Sequence, residues 1–310
     1  MRHNKDVLWK GLLECVFDDF LRFVYADADQ VFDFEKDFHF LDKELAELYP
    51  ETGKQTDIRF VDKLVKVFLK GGVEEWVLVH IEVQGETKAT DRAEFGERMF
   101  RYFYRIFDRY RKPVAAVTLF TGRDGIRVPG MYAYSFMNTR LEFQYHTLRV
   151  LYFPDEILRE SKNPFSWVVL IAKQALLRGK ELDKRLLEGK LFIFRKLYGN
   201  GLFDKRKLQA ILVFLNNYVR FENQETNLIF GREIEQITGK TNAMDIFQQV
   251  AVMRREEALE QGRKEGMKQH KRLVVENLLK ETDFSPEKIA TLASVSQAFV
   301  KKVKAELAVK

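Results

Sequence analysis

Cysteine is almost absent: the 310 residues hold one, Cys15. An intrachain disulfide is therefore excluded, and so are zinc ribbons, which need several thiolates. Cys15 lies in the apolar row Leu8, Leu12, Cys15, which reads as a structural thiol in the core. Long apolar runs are missing too. None approaches the roughly 18 residues of a membrane-spanning helix. The first ten residues, MRHNKDVLWK, carry no apolar leader core. The expectation is a soluble, cytoplasmic protein with no membrane partner. Charge of one sign is only in slight excess, a net +6, which by itself names no partner.

What the chain does have is apolar and aromatic mass. Hydrophobic residues make up 46% and aromatics 13%, with 27 Phe. That composition builds a packed core and excludes a disordered chain. The length suits one large domain or two ordinary ones.

The most informative stretch runs over residues 56–84, TDIRFVDKLVKVFLKGGVEEWVLVHIEVQ. It reads as two strands joined at Gly71-Gly72, a hairpin-turn signal between β-rich runs. In the second strand Val77, Val79, Ile81 and Val83 alternate with Trp76, Leu78 and His80. A strand apolar on both faces belongs in the middle of a sheet. Glu82 and Gln84 nevertheless fall on the Trp76 and Leu78 face, and Asp62 on the face of Phe60, Leu64 and Phe68. A lone buried carboxylate is costly unless it is paired, hydrogen-bonded or bound to a cation. Two acids in neighbouring apolar strands point to a metal site.

Around this pair the periodicity predicts an amphipathic helix over 5–25 and a short helix over 42–48, stopped near Pro50. A helix is expected over 92–110, then a strand over 114–121 and another over 141–153 ended by Pro154. Helix, strand, strand, helix, strand implies a mixed α/β sheet with helices on its faces. Beyond Asp155 the pattern is helical, with helices expected over 167–177, 182–197, 204–219 and 232–250. Residues 251–310 hold 13 Lys and Arg against 9 Asp and Glu, which is +4 of the chain's +6. Within them 285–307 reads as two short helices around a Ser-Val-Ser turn, with Ser285 as N-cap and Pro286 at the first helical position.

The order VDKLVKV, a Gly turn, WVLVHIEVQGE and FGERMFRYFYRIFDRY, with WKGLLE and LDKEL ahead of it, resembles the Rpn family of recombination-promoting nucleases. That family includes the YhgA-like transposase group and belongs to the PD-(D/E)XK nuclease superfamily. The resemblance covers roughly residues 5–125. It implies a restriction-endonuclease-like fold: a mixed sheet flanked by helices over 1–155, an all-α region over 156–250, and a helical tail over 251–310. It further implies a metal-dependent DNA endonuclease tied to recombination. The superfamily carries Asp on one strand and Glu-X-Lys on the next. Carried over, these are Asp62, Glu82 and position 84, which here is Gln84.

The implied cofactor is Mg²⁺ or another divalent cation, held by Asp62, Glu82 and the Val83 carbonyl, since hard oxygen ligands suit Mg²⁺. Gln84 would orient the attacking water, although its amide brings no positive charge. Lys66 on the Asp62 face is a candidate substitute for the missing Lys. Glu44 is a candidate for a second metal. Arg98 and Tyr102, one helical turn apart, are candidates for substrate phosphate or for bracing the site. The implied partner is DNA, and cutting both strands favours a dimer.

The plainer readings stand beside these. His80 fits a core histidine. Arg98, Arg101, Arg105 and Arg109 fit a solvated helix face as well as a DNA groove. The tail fits a helix-turn-helix, with Lys301, Lys302 and Lys304 on phosphates, or a helical hairpin used for dimerisation. Gln84 in place of Lys motivates a catalytically inactive DNA-binding or scaffold protein that keeps the fold. A purely oligomeric structural protein is a third reading.

Overall fold

In the computed structural model the described residues are 2–41, 61–71, 74–82, 89–122, 130–199, 201, 203–239, 270–282 and 284–308. For Val61, Asp62 and residues 74–82 the description is of the backbone. Residues 1–247 and 248–310 form two compact units.

The first unit is mixed α/β. Its helices are α1 (Arg2–Val24), α2 (Ala28–Val31), α3 (Ala89–Tyr110), α4 (Asp155–Glu160), α5 (Pro164–Gln174), α6 (Leu182–Gly199), α7 (Lys205–Tyr218) and α8 (Gln224–Thr238). Its strands are β1 (His39–Phe40), β2 (Val61–Phe68), β3 (Glu74–Glu82), β4 (Val114–Phe120), β5 (Met131–Phe136), β6 (Thr139–Gln144) and β7 (His146–Arg149).

Five strands form one sheet in the order β1-β2-β3-β4-β7, and β5 pairs with β6 in a separate hairpin. The first two pairings are antiparallel. The β3–β4 and β4–β7 pairings are parallel. The doubly apolar β3 is interior, as its sequence requires, because both its edges are paired. The turn after β2 is built on Gly71 at φ 104°, a conformation that glycine adopts without steric cost.

Alternation along the strands separates two apolar faces. Val65, Val67, Val117, Leu119 and Leu148 join the main core with Trp9, Leu12, Phe17 and Phe20 of α1. That core continues into α5, α6, α7 and α8, so the helices beyond residue 155 share it with the sheet. α5 is buried on every side, from Phe165 to Ala172, which makes it the central helix of this layer. Its N-cap Asn163 accepts from Phe165 N–H at 2.8 Å and donates to the Asp19 carbonyl at 2.9 Å, tying α5 to α1. Each large side chain removed from water here contributes about 1.5–3 kcal/mol. Cys15 is half-buried against this core.

The opposite face is covered by α3. Leu64, Ala116, Phe120 and Tyr145 pack there with Phe95, Met99 and Ile106. The β5–β6 hairpin lies on the same helix, with Tyr132 stacked on Phe100 at 5.5 Å between ring centres. The hairpin backbone lies close to Gly96: a Cβ there would stand in contact with the Met131 carbonyl oxygen at 3.4 Å.

Two elements differ from expectation. The strand expected over 141–153 is divided: its first part pairs in the hairpin, and β7 joins the main sheet. The chain changes partners at Tyr145, whose N–H donates to the Gly130 carbonyl at 2.9 Å. The helix expected over 232–250 begins earlier, where the Asn223 side chain caps Glu225 N–H, and ends at Gly239 in the left-handed region. Residues 240–250 and the helix expected over 42–48 lie outside the described residues.

The second unit has its own core. Among its described residues, 270–281 are helical and are numbered α9. They are followed by α10 (Pro286–Leu292) and α11 (Gln297–Ala308), as the Ser285-Pro286 start and the Ser-Val-Ser turn predict. Val275, Ile289, Ala290, Ala293, Val300 and Val303 are buried together. Among the described residues no helix is long and apolar enough to cross a membrane.

Candidate functional site

The backbone register assembles the candidate positions. Asp62 stands opposite His80 in the β2–β3 pair. Glu82 is two residues beyond His80, so positions 62, 80 and 82 belong to the same alternate set. On β4, Thr118 is opposite His80 and Phe120 opposite Glu82. On β7, Thr147 and Arg149 continue these rows. One row therefore reads Asp62, His80, Thr118, Thr147, and the next reads Glu82, Phe120, Arg149. Both fall on the α3 face, because Leu64 and Phe120 pack against Phe95 and Met99 there.

The floor of the site is ordered by polar contacts. Thr118 is fully buried, and its hydroxyl lies 3.2 Å from both the His146 carbonyl oxygen and the Thr147 hydroxyl. Those contacts tie β4 to β7 within the row that carries Asp62. Phe95 holds Phe120 at 5.2 Å and Tyr145 at 6.2 Å between ring centres.

Two arginines approach this floor. The Arg98 guanidinium sits 5.2 Å from the Phe95 ring centre, and that of Arg149 sits 5.6 Å from the Tyr152 ring centre. Burial pushes the Tyr145 hydroxyl well above its ordinary pKa, and the positive charges of Arg98 and Arg149 oppose that shift. Arg98 packs on Phe95 of the α3 layer, and position 149 closes the row of Glu82 and Phe120 on that face. Tyr102 is half-buried in the same cluster.

Lys66 is not brought to this end of the sheet. It is four residues from Asp62, about 13 Å along a strand, and its ammonium lies 5.3 Å from the Phe68 ring centre. Lys63 faces the other way. It is fully buried against α1, donates to Glu14 at 2.5 Å and sits 5.0 Å from the Phe40 ring centre. Glu44, Val83 and Gln84 lie outside the described residues. Among the described side chains no three His, Cys, Asp or Glu gather to hold a metal. The side chains of Asp62 and Glu82 are outside that set.

Arg149 was not among the residues singled out from the sequence. Its signal was present: Tyr145, Thr147 and Arg149 alternate, so they share a face once β7 is placed beside β4. Comparison with family models, curated proteins and solved structures returned no match.

Proposed function

We propose that the chain is a metal-dependent DNA endonuclease with a PD-(D/E)XK-type site at the Asp62–Glu82 end of the sheet. The observation that supports this most directly is the register, which makes Asp62 and Glu82 diagonal neighbours on adjacent strands. Diagonal positions of an antiparallel pair stand roughly 7–8 Å apart. Two carboxylate stems can converge on one cation across that distance.

Asp62, Glu82 and the Val83 carbonyl offer hard oxygen ligands suited to Mg²⁺. Bound there, the ion would polarise the scissile phosphate and lower the pKa of a coordinated water. Gln84 orients the attacking water through its amide. Arg149 and Arg98 attract the phosphate and stabilise the charge that develops on its oxygens. Thr118 and Thr147 keep the floor rigid. Cleavage of both strands calls for two copies of the chain.

Plasmid nicking in a Mg²⁺ titration tests the proposal, with Asp62→Ala and Glu82→Ala as controls. Activity that depends on metal and is lost in both variants, with circular dichroism unchanged, is the expected result. Equal nicking by all three proteins refutes it. Gln84 in place of Lys favours one rival, a catalytically inactive DNA-binding protein. That rival predicts a metal-independent gel shift and no cleavage with any divalent ion.

A further inference from the structure

The second unit carries a surface that hydrolysis leaves unused. α10 ends in a tight, fully bonded turn. Val295 N–H donates to the Ala290 carbonyl at 3.0 Å and Ser294 N–H to the Thr291 carbonyl at 3.3 Å. Ser294 is at φ 50°, in the left-handed region. This paired closure reverses the chain at a helix end. From α9, the Lys271 ammonium donates to the Ser294 carbonyl at 3.0 Å and holds the turn. α11 then starts at once, with the Ser296 hydroxyl accepting from Phe299 N–H at 3.2 Å.

Ala293 to Ser296 are the four residues between two short helices that share one core. Small residues line the approach: Ala290 and Ala293 of the first helix and its end are buried with Val300 and Val303 of the second. A helix, a turn of three or four residues and a second helix packed across it is the helix-turn-helix arrangement.

Packing Val300 and Val303 inward leaves Gln297, Ala298, Lys301 and Lys304 exposed. Positions 297, 301 and 304 are spaced as one stripe along the helix. No Asp or Glu occurs between Glu287 and Glu306, while Lys288, Lys301, Lys302 and Lys304 do. Lys288 on α10 is also exposed, with its ammonium 4.0 Å from the Phe284 ring centre. A basic, acid-free stripe is complementary to a polyanion. Gln and Lys near the start of the second helix match the edges of adenine and guanine in the major groove.

We infer that α9–α11 form a helix-turn-helix module that reads duplex DNA, with α11 in the major groove. Gln297 and Lys301 contact base edges; Lys304 and Lys288 contact phosphates. Sequence preference would then come from this unit and not from the sheet. The inference does not depend on hydrolysis.

The test uses the full chain carrying Glu82→Ala, in EDTA, so that cleavage plays no part. Random duplexes are selected by binding and sequenced, with single-stranded DNA and duplex RNA as competitors. A sequence motif should emerge from the selected pool. Gln297→Ala and Lys301→Ala should each lower affinity for that motif by roughly tenfold and relax it at one position. Lys304→Ala should weaken all duplexes alike and reduce the salt slope by about 1. The control Lys180→Ala, exposed on the first unit, should change nothing. Each variant is checked for an unchanged melting transition, and Lys301→Glu provides a second change at that position. A pool that stays random overturns the inference, as does a motif indifferent to the α11 variants. Loss of self-association in those variants with DNA binding intact also overturns it, and makes a second copy the occupant.

Discussion

Asp62 on β2 is the register partner of His80 on β3, which sets Glu82 one alternate position further along the same face. The same rows end at Thr147 and Arg149 on β7, three strands from Asp62. Acid at one side of the rows and base at the other suit a cation and a phosphate side by side.

If Gln84 only orients water, position 84 lacks the charge that a lysine would bring. Gln84→Lys should then raise Mg²⁺-dependent nicking by about tenfold, in line with one added charge stabilising the transition state. An unchanged rate would show that this position contributes no electrostatic stabilisation.

Arg149 is the residue that register adds. Arg149→Ala should lower kcat/KM for nicking by roughly 10- to 100-fold. Arg149→Lys should recover part of that loss, since a point charge replaces a fork. If the second unit holds the DNA as inferred above, gel shifts in EDTA should move far less. Equal loss in both assays would assign Arg149 to general DNA affinity.

Lys190 of α6 is fully buried between aromatic faces, 4.3 Å from the Phe230 ring centre and 4.6 Å from that of Phe221. Its ammonium donates to the Val219 carbonyl at 3.0 Å. Burial lowers its pKa from 10.5 to about 7. Between those values the unfolded chain keeps a proton that the folded chain has released. Stability from this group therefore rises with pH across that window, and the full penalty is present below it. Lys190→Met should remove the slope, so that the variant gains on the wild type as pH falls toward 7, offset by about 1 kcal/mol for the orphaned carbonyl. Urea unfolding of both proteins at several pH values across that window measures it, and parallel curves would contradict the assignment.

Ser294 pays a steric cost that glycine would not. A left-handed residue with a Cβ is disfavoured by about 1–2 kcal/mol, and glycine returns part of this in backbone entropy. Ser294→Gly should stabilise the second unit by roughly 0.5–1 kcal/mol. Amide exchange in α10 and α11 should slow accordingly. Faster exchange would mean that the serine makes the turn better than its φ implies.

Much of this architecture was legible locally. The two-sided apolar run of β3 marked an interior strand, and Gly71 marked the turn before it. Leu12, Phe17 and Phe20 followed a helical period and are buried on α1. Ser285, Pro286 and the Ser-Val-Ser turn marked both helices of the tail. These signals act over a few residues, so they survive without tertiary context. Of the hairpin β5–β6 only the end of β6, from 141, was legible as strand; residues 131–140 lack a clean apolar alternation, and both strands are largely exposed. The early start of α8 was missed because its first turn, Gln224 to Asn227, is polar.

Periodicity and turn chemistry by themselves determined that a β-hairpin carrying two acids precedes an amphipathic helix, and that a basic two-helix motif lies near the end. Only the tertiary structure decided that β7 lies parallel beside β4, bringing Arg149 into line with Glu82. It also decided that helices beyond residue 155 share one core with the sheet. The physical reason is range. A turn or a helical stripe depends on neighbours in the chain, whereas pairing strands some thirty residues apart depends on burying two different faces against α1 and α3 at once.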